Sequence, residues 1–220
     1  MIIALAGQKG GVGKTTIAIG IATEWVDRGA RVLLVDADPQ GSSRTWADVA
    51  SEQGHKVPTV VAMGANLHKK DQLPLLVPGY DHVIVDCPPA HGPIQRAALM
   101  VADVVLLPCS PSPVDVWALA SSLELVEQAQ AIRDDLLAAI VITRKDPRTA
   151  IGRQVRVALE AHGLPVIRAE LGNRVAYPEA LSVGSTATRF APRGAAARET
   201  KRLVNEVEAL AAVRREANVA

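Results

Sequence analysis

The chain has 220 residues, 49% hydrophobic and 21% charged, which suits one soluble α/β domain with a sizeable core and is too short for two full ones. A formal net charge of +1 excludes a global electrostatic pull toward nucleic acid or membrane, so a charged partner must be met by a local patch. Aromatic residues are only 3%, too few for the stacking platforms of single-stranded nucleic-acid binders, and two cysteines, Cys87 and Cys109, supply neither a disulfide framework nor a metal-ligand set.

The N-terminus runs straight into "MIIALA" (1–6), a strand, with no basic region or cleavage site before it. No apolar run approaches the roughly 18 residues of a membrane span. The expected location is therefore the cytoplasm. A glycine-rich segment follows, then a helix over 14–28, a strand over 30–38, a helix over 43–53 and a weaker strand over 56–62. Strands over 82–87, 103–110 and 137–143 alternate with helices over 93–101, 114–131 and 149–162, and a second weak strand is read over 163–169. Nearly continuous apolar strands are those of a sheet buried on both faces. The alternation predicts a doubly wound α/β fold, a mostly parallel sheet with helices on both faces. Residues 195–216 form a last helix, whose Leu203, Val204, Val207, Leu210 and Val213 make one apolar stripe. The stripe packs on the domain or, less in keeping with its small side chains, lies on a membrane.

The segment "GQKGGVGKTT" (7–16) joins the first strand to the first helix. The standard phosphate-loop pattern G-x-x-x-x-G-K-[ST] fails at its first position, which is Gln8, whereas K-G-G-x-G-K-T-T fits from Lys9 to Thr16 with Val12 as the free position. Gly10, Gly11 and Gly13 let backbone N–H groups turn onto phosphate oxygens at the positive end of the helix. Lys14 suits the β- and γ-phosphates, and the Thr15 hydroxyl suits Mg²⁺. Two acidic strand ends follow, "VDADPQ" (35–40) and "VIVDCPP" (83–89), at the edge where ligands of such sheets gather. Asp86 fits the Walker-B role of holding Mg²⁺, Asp36 a supporting place in the Mg²⁺ shell, and Asp38 the orientation or activation of the attacking water. Taken alone, an aspartate ending a strand is more often a helix cap or turn former; three such elements in this order point instead to a nucleotide site.

With "KGGVGKTT", "VDADPQ", "VIVDCPP", "LLPCSPSPVDVWA" (106–118) and "VITRK" (141–145), the sequence resembles the ParA/MinD family of deviant Walker-A P-loop ATPases over nearly its whole length. It is most similar to the small, ParF-like ParA proteins of plasmid partition. The resemblance implies slow, partner-stimulated ATP hydrolysis with Mg²⁺ and an ATP-sandwich homodimer. In that dimer Lys9 would reach the phosphates bound by the other subunit, joining Lys14 and Asp38 in catalysis. It further implies that Pro111, Pro113 and Asp115 lie in the dimer interface and that Arg144 lies near the adenine base. The prolines also read simply as a rigid loop.

The partition reading asks for nonspecific affinity for double-stranded DNA. Residues 189–215 hold seven basic residues, Arg189, Arg193, Arg198, Lys201, Arg202, Arg214 and Arg215, against Glu199, Glu206 and Glu208. Such a patch meets phosphates without reading bases, though a solvated helix face with i,i+4 pairs has the same composition. The phosphate loop begins almost at Met1, so the expectation is a single ATPase domain over 1–220 with no N-terminal helix-turn-helix and no sequence-specific DNA recognition. Expected partners are a centromere-binding or cargo-adaptor protein and nucleoid DNA, with no membrane. Three other readings compete: the same switch positioning a protein cargo such as a carboxysome or chemoreceptor cluster, a Min-like membrane regulator, and a metal-cluster carrier of the nitrogenase iron-protein type, for which the two cysteines lack the spacing.

Overall fold

A computed structural model describes residues 1–90 and 92–217, with side chains on the last helix described up to residue 212. Six strands, β1 (Ile2–Leu5), β2 (Val32–Asp36), β3 (Thr59–Ala62), β4 (His82–Asp86), β5 (Val104–Cys109) and β6 (Leu137–Ile142), form one sheet in the order β3-β2-β4-β1-β5-β6. Every pairing is parallel. Parallel neighbours require crossovers, which are helical here: α1 (Lys14–Asp27), α2 (Ser42–Glu52), α3 (Leu73–Leu76), α4 (Pro93–Leu99), α5 (Pro113–Gln130) and α6 (Ala150–Glu160). Three more helices close the chain, α7 (Ala176–Ser182), α8 (Ala187–Phe190) and α9 (Ala195–Ala217).

Alternation along the strands divides the core in two. Ala4, Leu33, Val35, Val83 and Val85 face one side, where they meet side chains of α4, α5 and α6. Ile3, Leu5, Leu34 and Ile84 face the other and meet α1, α2 and α9. The expected doubly wound fold is therefore present, with both faces covered. The weak strand expected over 163–169 is not formed. That stretch makes only an isolated parallel bridge, Ile140 with Val166, because Pro165 lacks the N–H a regular ladder needs. The short helices α3, α7 and α8 lie in segments whose periodicity was too brief to read.

The apolar stripe of α9 packs inward. Leu203, Val204 and Val207 are buried beside α1, and Leu210 packs on the same cluster, so this face is not available to lipid. The side chains of Val213, Arg214 and Arg215 lie outside the described residues. α9 is also tied to α1 by polar contacts: Trp25 Nε1 donates to Glu208 at 2.6 Å and Arg28 reaches Glu208 at 3.1 Å. Trp25 in turn stacks on His82 at the start of β4, ring centroids 4.1 Å apart. Among the described residues no helix is long and apolar enough to cross a membrane.

One close approach fixes α2. Gly184, just after α7, has φ +63°, and a Cβ there would lie 2.5 Å from the backbone nitrogen of Ala50. The adjacent Ser185 carbonyl accepts a hydrogen bond from Trp46 Nε1 at 3.0 Å. Gly184→Ala, meeting both a left-handed backbone and a backbone wall, is expected to cost about 2–4 kcal/mol, measured as a fall in the urea midpoint at unchanged m.

Candidate functional site

The parallel register brings the site together. Asp36 of β2 stands opposite Asp86 of β4, and Asp86 stands opposite Leu5 of β1, so three strand ends are level where the phosphate loop begins. Residues 7–13 then leave β1 and α1 starts at Lys14. Gly11 and Gly13 have φ of 74° and 98°, a backbone that turns N–H groups inward and that side chains other than glycine rarely adopt. The loop is braced from outside. Gln95 of α4, fully buried, donates to the carbonyls of Gly7 (3.1 Å) and Pro88 (2.7 Å) and accepts from the Gly7 N–H. Thr143 at the end of β6 donates to the Val12 carbonyl at 2.9 Å. Gln8 is held by Ser122 and Ser121 of α5 and, through its carbonyl, by the Ala90 N–H.

The two lysines of the loop go to different places. Lys14 is buried, and its ammonium donates to the carbonyls of Lys9 (2.8 Å) and Gly7 (3.3 Å) across the mouth of its own loop. Burial lowers its pKa, opposed chiefly by the charge of Asp86. Lys9, 46% exposed at its side chain, turns away from the loop it belongs to and stands 3.7 Å from Asp115 in the first turn of α5. Asp115 also accepts a hydrogen bond from Ser110.

Beneath the loop lie the two strand-end carboxylates. Asp36 Oδ2 accepts the backbone N–H of Arg44 at 3.0 Å, so it caps the N-terminus of α2, with the Arg44 guanidinium 3.5 Å away. Asp86 Oδ2 accepts from the Ser43 hydroxyl at 2.9 Å. The remaining oxygen of each, Asp36 Oδ1 and Asp86 Oδ1, is buried without a hydrogen-bond partner. Burial pushes the Asp86 carboxyl up to about 6, against the pull of Thr15, Ser43 and Lys14. The two orphaned carboxylate oxygens, with the Thr15 hydroxyl at Asp86, make a donor set that fits a hard divalent cation completed by phosphate and water oxygens. Among the described residues no cluster of three His, Cys, Asp or Glu that could hold a metal ion exists. Asp38, half-buried, lies in the turn after β2, where its carboxylate accepts the Gln40 N–H at 2.9 Å.

Alongside the loop opens a cavity of about 370 Å³. One wall is Val12, Gly13, Thr16 and Ile17; the other is Arg144, Asn173, Arg174, Tyr177 and Pro178. Arg144, left-handed at φ +49°, is thereby brought to the side of the phosphate loop. An apolar-walled space with a few polar groups, contiguous with an anion cradle, has the form of a nucleobase pocket. Asn173 and Tyr177 were not foreseen, since they lie in a segment without periodicity or motif; Gln95 and Ser43 were missed because each reads as an ordinary helix residue. Ser43 carried one signal, a serine in the first turn of a helix that follows "VDADPQ" directly.

Cys87 and Cys109 are both buried, and burial raises both thiols, Cys109 to about 12. Neither reaches the surface, so neither can bridge two subunits through a cluster. The basic patch is sorted by its pairings. Arg189 folds back onto Asp27 of α1 at 2.7 Å. Glu199 binds Arg174 and the Gly172 N–H, Glu206 the Arg168 N–H, and Glu208 Arg28 and Trp25. The acids are thus consumed off the helix, while Arg193, Arg198, Lys201 and Arg202 remain exposed with no acidic partner among the described residues.

Comparison with known proteins agrees with this geometry. Residues 3–187 match the family described as the CobQ/CobB/MinD/ParA nucleotide binding domain. The chain is 37% identical over 208 residues to the maintenance of carboxysome distribution protein A of Halothiobacillus neapolitanus, covering 93% of this chain and 95% of that one. It is 34% identical over 238 residues to the chromosome-partitioning ATPase Soj of Thermus thermophilus, covering 94% and 95%. Its fold is like that of the septum site-determining protein MinD of Pyrococcus horikoshii, solved with Mg-ADP, at a TM-score of 0.74 and 18% identity over 97% of this chain and 98% of that one. The chain belongs to the CobQ/CobB/MinD/ParA family.

Because the folded state holds the Asp86 proton more tightly than the unfolded chain, Asp86 favours folding below its unfolded pKa of about 4, and this contribution is lost as pH rises through about 6. Without nucleotide and Mg²⁺, Asp86→Asn is therefore expected to exceed the parent in stability by about 3 kcal/mol at pH 7.5, the difference vanishing toward pH 4. Urea titrations at the two pH values measure it.

Proposed function

We propose that this member of the family is a positioning ATPase whose substrate is ATP and whose cofactor is Mg²⁺. It pairs with a second copy around the nucleotide, holds double-stranded DNA nonspecifically, and segregates a plasmid or chromosome region with a centromere-binding partner. The observation that carries the reading is the division between the two loop lysines. Lys14 lies within its own cradle, its ammonium bonded to the carbonyls of Gly7 and Lys9 at the loop's mouth. Lys9 is directed outward, at the surface a second copy would cover. A cation placed on the partner's phosphates stabilises the charge of phosphoryl transfer and makes ATP part of the interface. Pairing then follows nucleotide state, since ATP favours the paired form and ADP the single chain.

The roles divide accordingly. Backbone N–H groups of Gly10, Gly11, Val12 and Gly13 hold the phosphates with Thr16 beside them, and Arg144 flanks the base. Thr15 and Asp86, supported by Asp36, would hold the Mg²⁺, which supplies positive charge to the phosphate oxygens during transfer. Asp38 accepts a hydrogen bond from the attacking water and orients it along the line of displacement. Pro111, Pro113 and Asp115 lie at the paired surface, and Arg193, Arg198, Lys201 and Arg202 meet DNA phosphates, with Arg189 set back against Asp27. Pairing doubles this patch, so DNA affinity follows ATP. The chain would work in the cytoplasm, on the nucleoid.

A second reading, the same switch acting on a protein assembly, is favoured by the 37% identity to a carboxysome-distribution protein beside the 34% identity to Soj. A deletion strain separates the two: loss of a replicon supports the first, a mislocalised protein assembly the second.

Asp38→Ala is expected to bind ATP normally yet to stay paired, with phosphate release slowed at least tenfold; undiminished turnover removes Asp38 from its role. Binding of a labelled duplex should be strong with Mg-ATP and weak with ADP or without nucleotide, at a stated salt concentration. Replacing Arg193, Arg198 and Arg202 together by alanine should lower affinity for all sequences alike and reduce the salt slope by about 3 per copy. Equal binding in every nucleotide state refutes the DNA switch.

A further inference from the structure

α5 buries Leu119, Leu123, Leu125 and Val126 against the sheet. The opposite side of its first two turns carries an apolar strip at i, i+3 and i+6, Val114, Trp117 and Ala120, all exposed. Trp117 is 72% exposed and Val114 51%. The other two tryptophans, Trp25 and Trp46, are 1% and 5% exposed. Beyond Ala120 the same line of the helix turns acidic, at Glu124 and Glu127, so the strip is bounded. A tryptophan held in water beside a valine on a helix fixed to the sheet is the composition of an interface anchor.

We propose that Trp117, with Val114, is the anchor of the contact between two copies of this chain, packing on the same region of the other copy about a two-fold axis beside the phosphate loop. The proposal rests on the nucleotide-dependent pairing proposed above and names the side chain that reads it. Three features select a second copy as occupant. First, the strip is continuous with the phosphate loop: Asp115, between Val114 and Trp117 in the same turn, stands 3.7 Å from Lys9, and Ser121 and Ser122 farther along α5 hold Gln8. Secondly, Lys9, which the pairing directs to the other copy's phosphates, stands on this same face beside Asp115, so a two-fold operation that delivers each Lys9 to the opposite loop also brings the two strips together, as an isologous interface demands. Thirdly, the strip is small. An aromatic side chain brings about 150–250 Å², whereas a stable interface takes about 800 Å² from each partner. The strip cannot hold two copies by itself, so the contact forms when nucleotide and Lys9 supply the remainder.

The wild-type chain carries its own probe, because Trp117 is open to a collisional quencher and Trp25 and Trp46 are not. Acrylamide quenching and emission wavelength are measured alongside sedimentation equilibrium, with ADP, without nucleotide, and with Mg²⁺ and a non-hydrolysable ATP analogue. The expected result is a blue shift and a severalfold fall in quenching with the analogue alone, at protein concentrations where the paired species forms. Trp117→Ala should weaken pairing about 30-fold or more, the threshold of an interface hot spot, while leaving the thermal midpoint and analogue binding by the single chain unchanged. Trp117→Phe should recover most of the loss. Pairs that form with Trp117 still fully quenchable, or with Trp117→Ala at undiminished affinity, overturn the anchor and leave the pairing standing. Protection of Trp117 in the single chain, or only after another protein is added, also overturns it. If no pair forms with the analogue, the pairing and its anchor fall together.

Discussion

The rest of the site depends on one electrostatic constraint: the parallel register sets two carboxylates, Asp36 and Asp86, side by side at the floor of a buried cradle. Like charges with little water are mutually unfavourable, and the fold relieves them only in part. Asp36 is answered by the N-terminus of α2 and the Arg44 guanidinium, Asp86 by the Ser43 hydroxyl and the charge of Lys14. One oxygen of each remains unanswered. The fold has thus left a place whose electrostatics are completed by a cation, and a cation is admitted there most readily together with the phosphates the loop is shaped to hold. The local cost of burying Asp86 is in this sense the source of affinity for the ligand pair.

The phosphate loop is held by side chains from three other elements, which turns a local motif into a reporter of its surroundings. Gln95 bonds both the start of the loop and the Pro88 carbonyl beyond β4, so the segment after Asp86 and the segment before Lys14 share one clamp. The Ala90 N–H reaches the Gln8 carbonyl from the same segment, and Ala90 has φ +77°. A non-glycine residue in that conformation stores strain and persists only where its surroundings impose it. The segment after Asp86, the start of the phosphate loop and, through Gln8, α5 thus form one hydrogen-bonded unit.

Legibility in the sequence followed the range of the interaction. Continuous apolar runs announced five of the six strands, since burial on both faces leaves no polar alternation to confuse them; β3, whose Thr59 and Ala62 are exposed, was correspondingly weak. The loop glycines and Lys14 were legible because backbone geometry and phosphate charge demand those residue types within eight positions. Asp36 carried two readings, cap and cation ligand, and its two oxygens divide between them: Oδ2 caps α2 while Oδ1 is left over. What could not be read were partners distant in sequence. Gln95 meets Gly7 across 88 positions and Thr143 meets Val12 across 131, and nothing local in either residue marks the contact. The strand expected over 163–169 failed for the converse reason, because an apolar pattern does not reveal that Pro165 interrupts the ladder.

The basic patch illustrates why net charge says little about a surface. Counted by composition, three glutamates offset much of the cation excess of residues 189–215. Counted by contact, each glutamate is already engaged: Glu199 secures the segment beside the nucleobase-shaped cavity, Glu206 the stretch after β6, and Glu208 the α1–α9 seam through Trp25 and Arg28. The acids therefore stabilise the fold while Arg198, Lys201 and Arg202 on the same helix stay exposed without an acidic partner among the described residues. Among its described residues, α9 buries its apolar stripe, engages Glu199, Glu206 and Glu208 with neighbouring elements, and leaves these three cations exposed. Since Glu199 holds Arg174 and Arg174 lines the cavity, the same helix that offers this charge is mechanically joined to the cavity beside the phosphate loop.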